Sequence, residues 1–319
     1  MHPKPINNPS SLVVLTRCPD YRPENIAPAV TRQISLLGGL DKFISPGDTV
    51  LLKPNFIAPK PRRFAVQTDP EIILALARLL KDLGARPFVG DSPAWGNTHA
   101  CIKALDLEEP LRKLNVPVKQ LNHPQRLKIA GSRLGLSAVA LEADKIINLP
   151  KFKSHQQLVA TFAVKNMFGC VSGKEKAFWH FAKGKHLNDF CRMLIEIYQR
   201  LSPALTIIDA VVAMDGPGPI SGNPKPLGFL IAGADPIACE ALCCRLININ
   251  PDELPLLQTA AKIGFGCSDL SRIEFAGDDY TDFICPDFDI PPQIPLRFSL
   301  ARVCKSLAKQ FVLLARHVT

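Results

Sequence analysis

Residues 49–90 constrain the fold of this chain more than any other stretch, because two short apolar runs flank one helix of clear amphipathic spacing. Pro46-Gly47-Asp48 turns the chain into the apolar run 49–53. Thr68 followed by Glu71 reads as a capping box, residues 72–83 carry apolar side chains at helical spacing, and Gly84 ends the helix before a second run at 86–90. The same alternation continues. Residues 11–16 read as a strand and 27–37 as a helix closed by Gly38-Gly39. Residues 97–114 read as a helix interrupted near Pro110, 116–121 as a short strand and 127–141 as a hairpin around Gly131-Ser132. Strands at 145–149, 205–209, 227–232 and 272–276 alternate with helices at 187–201, from Asp235-Pro236 onward, and at 253–263.

Such alternation predicts an α/β fold with a mainly parallel sheet and helices on both faces, in two closely packed lobes. The division expected is an N-terminal lobe over 1–144, a lysine-rich central segment with a second lobe over 145–289, and a basic tail over 290–319. At 319 residues with 47% hydrophobic content, the chain has enough apolar material for a large core. In parallel sheets ligands bind beyond the carboxyl ends of strands. Lys53-Pro54-Asn55, Gly90-Asp91-Ser92-Pro93, Asn148-Leu149-Pro150-Lys151 and residues 209–219 all fall at such ends. One shared cleft is therefore expected.

The formal charge of +9 is unevenly spread. Between residues 148 and 186 stand seven lysines (151, 153, 165, 174, 176, 183 and 185) against the single acid Glu175. After Asp289 there is no acid, while Arg297, Arg302, Lys305, Lys309 and Arg316 interleave with apolar residues as an amphipathic helix. That tail suits docking on the body or on a second subunit, as in a homodimer, better than a membrane surface. No apolar run approaches a membrane span and the opening residues lack a secretory apolar core, which predicts a cytoplasmic protein. Ten scattered cysteines in such a chain read as reduced thiols, with Cys239 and Cys243 on one face of a packed helix. No Cys-x-x-Cys occurs, so a self-contained iron–sulfur or zinc-ribbon site is not expected. Trp95 and Trp179 stand alone, and no nucleic-acid-binding motif is present.

The chemistry concentrates in the central segment. A period of two puts Lys151, Lys153 and His155 on one side of an extended strand, and like charges held together call for a compensating anion. A solvated edge strand is the plainer alternative. Lys165-Asn166 follows an apolar run, where a lysine must snorkel, pair or serve a cleft. Gly169-Cys170-Val171-Ser172-Gly173-Lys174 is not a Walker A loop: three residues separate its glycines, and Glu175 follows the lysine. A looser anion-binding nest remains open for it. Substrate-binding candidates are Lys53, Asn55, Ser92, Lys151, Lys153, Lys165, Asn166 and Lys174. Asp91, His155 and Asp215 are the candidates for proton transfer, with Asp209 a further acid. His155, His180 and Cys170 are candidate ligands for a divalent metal, each weighed against a structural role. Asp215-Gly216-Pro217-Gly218-Pro219 is a stiff loop open to close backbone approach, or an ordinary turn.

Leu51-Leu52-Lys53-Pro54-Asn55, Gly90-Asp91-Ser92-Pro93, residues 146–155, Val164 to Cys170, residues 208–219 and Ala234-Asp235-Pro236-Ile237-Ala238 occur in the order seen in the family catalogued as domain of unknown function 362. The chain resembles that family over roughly residues 45–266. The resemblance implies no established common reaction. Some relatives append a ferredoxin-like region with four-iron four-sulfur clusters, so a redox role here would need a partner protein to supply the cluster. The layout is also similar, more distantly, to lactate-racemase-like proteins with a nickel cofactor. Two functions remain open: an enzyme binding a small anionic substrate, an organic acid or a phosphorylated compound, with or without a metal; or an accessory protein docking a cofactor or an iron–sulfur redox partner.

Overall fold

A computed structural model describes residues 11–172, 175–176, 178–179 and 186–294. Lys174, His180, Lys183, Lys185 and the basic tail from Arg297 onward lie outside the described residues.

Among the described residues ten strands form one mixed, mainly parallel sheet. In chain order its main strands are β1 (Ser11–Arg17), β2 (Thr49–Pro54), β3 (Arg86–Asp91), β4 (Val118–Gln120), β7 (Lys145–Leu149), β8 (Lys151–His155), β9 (Val159–Thr161), β10 (Leu205–Asp215), β11 (Asn223–Gly233) and β12 (Ile273–Gly277). The hairpin β5 (Pro124–Ile129) and β6 (Ser132–Ser137) stands apart as a second sheet. The order across the large sheet is β12-β1-β11-β10-β7-β2-β3-β4, with β8 on β10 and β9 on β8. Strands β2, β3, β4, β7 and β10 run parallel, and β1 runs the same way because it is antiparallel to β11, itself antiparallel to β10. Their carboxyl ends therefore share one edge. From β2 the chain winds outward to β3 and β4, then returns past β2 to β7 and β10, so the winding reverses beside β2 and β7.

Alternation along each strand divides the core between the two faces. Val14, Val50, Leu52, Ile147 and Ile207 pack on one face under α1 (Pro23–Leu36), α2 (Pro70–Asp82), α3 (Thr98–Ala104) and α4 (Glu108–Lys113). Val13, Leu15, Leu51, Ile146 and Ile208 face the opposite layer, built on α7 (Leu187–Leu201), α8 (Pro236–Leu246) and α9 (Pro255–Ile263). The short α5 (Ala138–Leu141) closes the hairpin, and α6 (Ala163–Asn166) follows β9. Cys239 and Cys243 are both fully buried in α8, as their helical spacing predicts.

Three local details differ from the sequence reading. The cap of α2 is Asp69, whose carboxylate accepts from the Glu71 amide, and not Thr68. Thr68 is instead an inner link: its hydroxyl donates to the Leu149 carbonyl at 2.6 Å and accepts from the Asn55 amide at 2.8 Å. The interruption near Pro110 lies earlier, at Leu105-Asp106-Leu107, where Asp106 has φ 53°; Pro110 sits in the first turn of α4, a place where its missing amide costs nothing. Strand β10 runs six residues beyond Asp209, past a bulge between Ala210 and Val212.

Strands β7 and β8 are one strand broken at Pro150. Before the break the chain pairs with β2 and β10; after it, β8 pairs with β10 and β9 only. Phe152 on β8 points into the core, its ring 4.6 Å from Phe162, 6.2 Å from Phe229 and 5.5 Å from Phe288. These ring contacts fix which face Lys151 and Lys153 take. Phe152→Ala should lower the unfolding free energy by about 3–5 kcal/mol in chemical denaturation, the cost of a large cavity in a packed core; a loss under about 1 kcal/mol would mean the ring is not an anchor.

Candidate functional site

Four lysines converge at the carboxyl edge, each handled differently. Lys53, at the end of β2, is fully buried, and its ammonium sits 2.8 Å from Asp91 Oδ1 at the end of β3. Asp91 also accepts the Phe56 and Ser92 amides, each at 2.7 Å, and Lys53 donates to the Pro54 carbonyl at 2.6 Å. Both charges are therefore satisfied inside the protein. A Cβ on Gly169 would collide with Asp91 Oδ1 and Lys53 Nζ, so the backbone there can approach the pair only as glycine.

Lys151 is buried against Asp209, its Nζ 2.8 Å from Oδ2 and 2.6 Å from the Tyr21 hydroxyl oxygen. Tyr21 donates to Asp209 Oδ1 at 2.7 Å, and the Asp69 amide donates to Oδ2 at 2.9 Å. Asp69 in turn holds Arg62 through two bonds, from Nε at 2.5 Å and from Nη2 at 2.7 Å. Burial, then the neighbouring Asp209, raises the Asp69 carboxyl to about 6. Burial, then Asp209, also pushes the Tyr21 phenol well above its ordinary range, so it stays a donor.

Lys153 has no acid paired with it among the described residues. Its ammonium donates to Asn55 Oδ1 at 2.5 Å and to the Val66 carbonyl. Burial, followed by repulsion from Lys151 and Lys165, drives its pKa well below the ordinary lysine value. Asn55 then passes a bond to Asn166 Oδ1 at 3.1 Å, and Asn166 donates to the Lys53 carbonyl and to Asn148 Oδ1. Asn148 continues to the Ala163 carbonyl and the Thr206 hydroxyl. This chain of amides ties the end of β2 to β7, α6 and β10, and every donor in it is a side chain, which no backbone pattern could supply.

Lys165, on α6, is half-buried and has no acid partner or hydrogen bond for its ammonium among the described residues. Burial alone lowers its pKa to about 8. The short helix that carries it is held at its start by Glu240, which accepts the Val164 amide at 2.7 Å and whose carboxyl burial raises to about 8.

Two cavities open on these residues. A recess of about 30 Å³ is lined by Asn55, Ile57, Lys151, Lys153, Thr161, Phe162, Lys165, Asn166 and Pro219. Five of the substrate-binding candidates, Asn55, Lys151, Lys153, Lys165 and Asn166, meet in its wall. A second cavity of about 400 Å³ shares Lys151 with the recess and is lined also by Tyr21, Arg62 and Asp69.

The remaining described candidates lie outside both walls. Asp91 is engaged with Lys53, and the Ser92 carbonyl accepts from Lys176, whose own pKa burial lowers to about 8. His155 is buried at the end of β8, its Nδ1 accepting the Gln157 amide at 3.0 Å. Asp215 is buried at the end of β10, facing the Asp289 amide at 3.4 Å. Cys170 is fully buried, and burial pushes its thiol up to about 12, so among its own neighbours it stays a protonated, packed thiol. Among the described residues no three His, Cys, Asp or Glu side chains stand close enough together to hold a metal ion. His180, one of the three candidate metal ligands, lies outside the described residues.

Tyr21, Arg62 and Asp69 were not singled out from the sequence. Tyr21 follows the end of a predicted strand and so belongs to the same edge. Arg62 and Asp69 belong to the loop that begins at Lys53-Pro54-Asn55, a strand-end segment already marked.

Two outcomes test this geometry. Lys151→Met should cost about 3–5 kcal/mol in denaturant unfolding, because Asp209 is left as an uncompensated buried charge, and combining it with Asp209→Leu should recover part of that loss. The Glu240 carboxyl has its folded pKa raised from 4.5 to about 8, so its ionisation penalises the folded state. Wild-type stability relative to Glu240→Gln should therefore be highest below pH 4.5, fall as pH rises from 4.5 to about 8, and level off above. A difference flat in pH would contradict the buried-carboxyl assignment.

Comparison with known proteins fits this layout. The family model described as domain of unknown function (DUF362) matches residues 50–245, which span β2 to α8 and hence the whole recess. A thylakoid-associated protein from Synechocystis sp. is 34% identical over 303 residues, covering 94% of each chain. The lactate racemase apoprotein from Thermoanaerobacterium thermosaccharolyticum shares the fold with a TM-score of 0.50 at 14% identity, over 74% of this chain. This chain spans only 59% of that racemase's length. No described helix is long and apolar enough to cross a membrane. With its match running from the first parallel strand pair to the helix that caps α6, the chain belongs to the family of domain of unknown function 362.

Proposed function

We propose that the recess between Asn55, Lys153 and Lys165 binds the anionic head of a small organic acid or phosphorylated compound, and that the protein is an enzyme acting on that molecule. The observation carrying this reading is Lys165, a half-buried ammonium in the recess wall with no acid partner among the described residues. Lys151 and Lys53 have their counter-charges built in, so they add little net positive charge; Lys165 and Lys153 do not. A volume of about 30 Å³ holds one or two waters, or a carboxylate or phosphoryl group displacing them.

The roles follow from the surroundings. Lys165 supplies the charge that attracts the anion, and the Asn55 and Asn166 amides orient it. Lys153, whose proton is held weakly, is the group suited to exchange a proton with the bound molecule. A bound anion would strengthen the hold of both lysines on their protons, so binding and protonation are coupled. Among the described residues every cysteine is a free thiol, which suits the reducing cytoplasm we assign to the protein.

Oxalate and inorganic phosphate are direct probes by isothermal titration. Oxalate keeps its charge across neutral and alkaline pH, so any pH effect on its binding reports the protein. Its affinity should fall as pH rises through about 8, where Lys165 loses its proton. Lys165→Met should weaken binding at least about tenfold, the loss of one charge-assisted contact, with little change in melting temperature because no internal partner is abandoned. Unaltered oxalate and phosphate affinity in that variant would sink the proposal.

A further inference from the structure

Six polar side chains line the recess, and four of them are already committed elsewhere. Lys151 gives its ammonium to Asp209 and Tyr21, and Lys153 gives its own to Asn55 and Val66. Asn55 accepts from Lys153 and donates to Asn166. Asn166 spends both of its amide N–H groups on Lys53 and Asn148, so it orients the recess through Asn55. The two that remain have made no bond among the described residues: the Lys165 ammonium and the Thr161 hydroxyl.

Thr161 ends β9 and stands directly opposite Lys153 of β8 in their antiparallel pairing. Residues paired in this way carry their side chains on the same side of a sheet, with Cβ atoms about 4.5–5.5 Å apart. The hydroxyl therefore belongs to the face that Lys151 and Lys153 share. Helix α6, which carries Lys165, begins two residues after Thr161, so both uncommitted groups reach the recess from one short stretch of chain.

The hydroxyl is open to a ligand. Among the described residues four side-chain polar atoms are sealed from solvent and unpaired: Thr16 Oγ1, Gln33 Oε1, Gln67 Oε1 and Trp95 Nε1. Thr161 Oγ1 is unpaired and does not belong to that set, and Thr161 itself is partly exposed. A solvated threonine hydroxyl is commonplace on a strand. This one shares a recess of about 30 Å³ with an ammonium that has no acid partner among the described residues, a space small enough for one anionic head to meet both.

We infer that Thr161 contacts the bound molecule directly, its hydroxyl donating to one oxygen of the anionic head while the Lys165 ammonium holds the head's charge. The inference rests on the recess being the anion site proposed above. It adds a requirement on the ligand, whose head must present two acceptor oxygens to two separate donors, as a carboxylate or a phosphoryl group does.

Titration calorimetry of the full-length protein with oxalate tests this role. Thr161→Val, which keeps the branched shape and removes the hydroxyl, should weaken oxalate about tenfold, the loss of one hydrogen bond to a charged group. Its melting temperature should stay near that of the wild type, since the hydroxyl has no internal partner to abandon. Thr161→Ser keeps the hydroxyl and should bind oxalate within about twofold of the wild type. The fall in affinity as pH rises through about 8 should keep its midpoint in Thr161→Val, because the hydroxyl does not titrate there. Unchanged oxalate affinity in Thr161→Val, with weakening in Lys165→Met, would overturn the role of Thr161 and leave the recess standing. Unchanged affinity in Lys165→Met would remove the recess and the role of Thr161 with it. A Thr161→Ser variant as weak as Thr161→Val would also overturn the assignment, since side-chain shape and not the hydroxyl would then be responsible.

Discussion

Asp209 is the residue on which the carboxyl edge is assembled. One of its oxygens takes the Tyr21 hydroxyl and the other takes the Lys151 ammonium and the Asp69 amide. Three segments far apart in the chain, the exit of β1, the loop after β2 and the start of β8, are thereby fastened to β10. A buried ion pair gains little net stability, since desolvation offsets much of the attraction. Its effect is positional: any arrangement that separates Lys151 from Asp209 leaves two bare charges in the protein interior, so the competing arrangements are the costly ones. The position of Arg62 follows, because it can bind Asp69 only where the Asp69 amide is already held.

The lysine concentration changes meaning once these partners are known. From sequence, Lys151, Lys153 and His155 on one side of a strand argue for an external anion. The alternation is real, with Phe152 buried among rings and Lys151 and Lys153 on the other side, lining the recess. Most of the compensation, however, is internal. Lys151 finds its acid 58 positions away, and Lys53 finds Asp91 on the neighbouring strand. Lys153 and Lys165 have no acid partner among the described residues, and Lys165 by sequence alone could equally have snorkelled to solvent.

What was legible and what was not divides along a physical line. Strand and helix periodicity depend on neighbours a few residues apart, and the elements at 49–53, 86–90, 145–149 and 187–201 appear within about a residue of their expected places. Pairings over long separations leave no such trace, which is why Tyr21 and Asp69 escaped notice. The α2 cap shows the same limit at short range. Thr68 has the right spacing to Glu71, yet its hydroxyl is drawn away by the Leu149 carbonyl on a neighbouring strand, and Asp69 takes the role. Strand β10 outruns its expected end because Asp209, which looks like a strand-terminating polar residue, has its charge met from both sides.

The break at Pro150 carries a consequence for how the edge is held together. Beyond it the sheet forks: β2 stops at Pro54, while β8 continues with β10. Carbonyls near the fork then have no strand to accept from. Lysine ammoniums take that place, Lys53 on Pro54, Lys153 on Val66 and Lys176 on Ser92. These side chains stand in for a missing strand. Unlike a backbone amide, an ammonium carries three donors and a charge, so the carboxyl edge is closed by side-chain bonds that also set its electrostatics and not by ladder bonds.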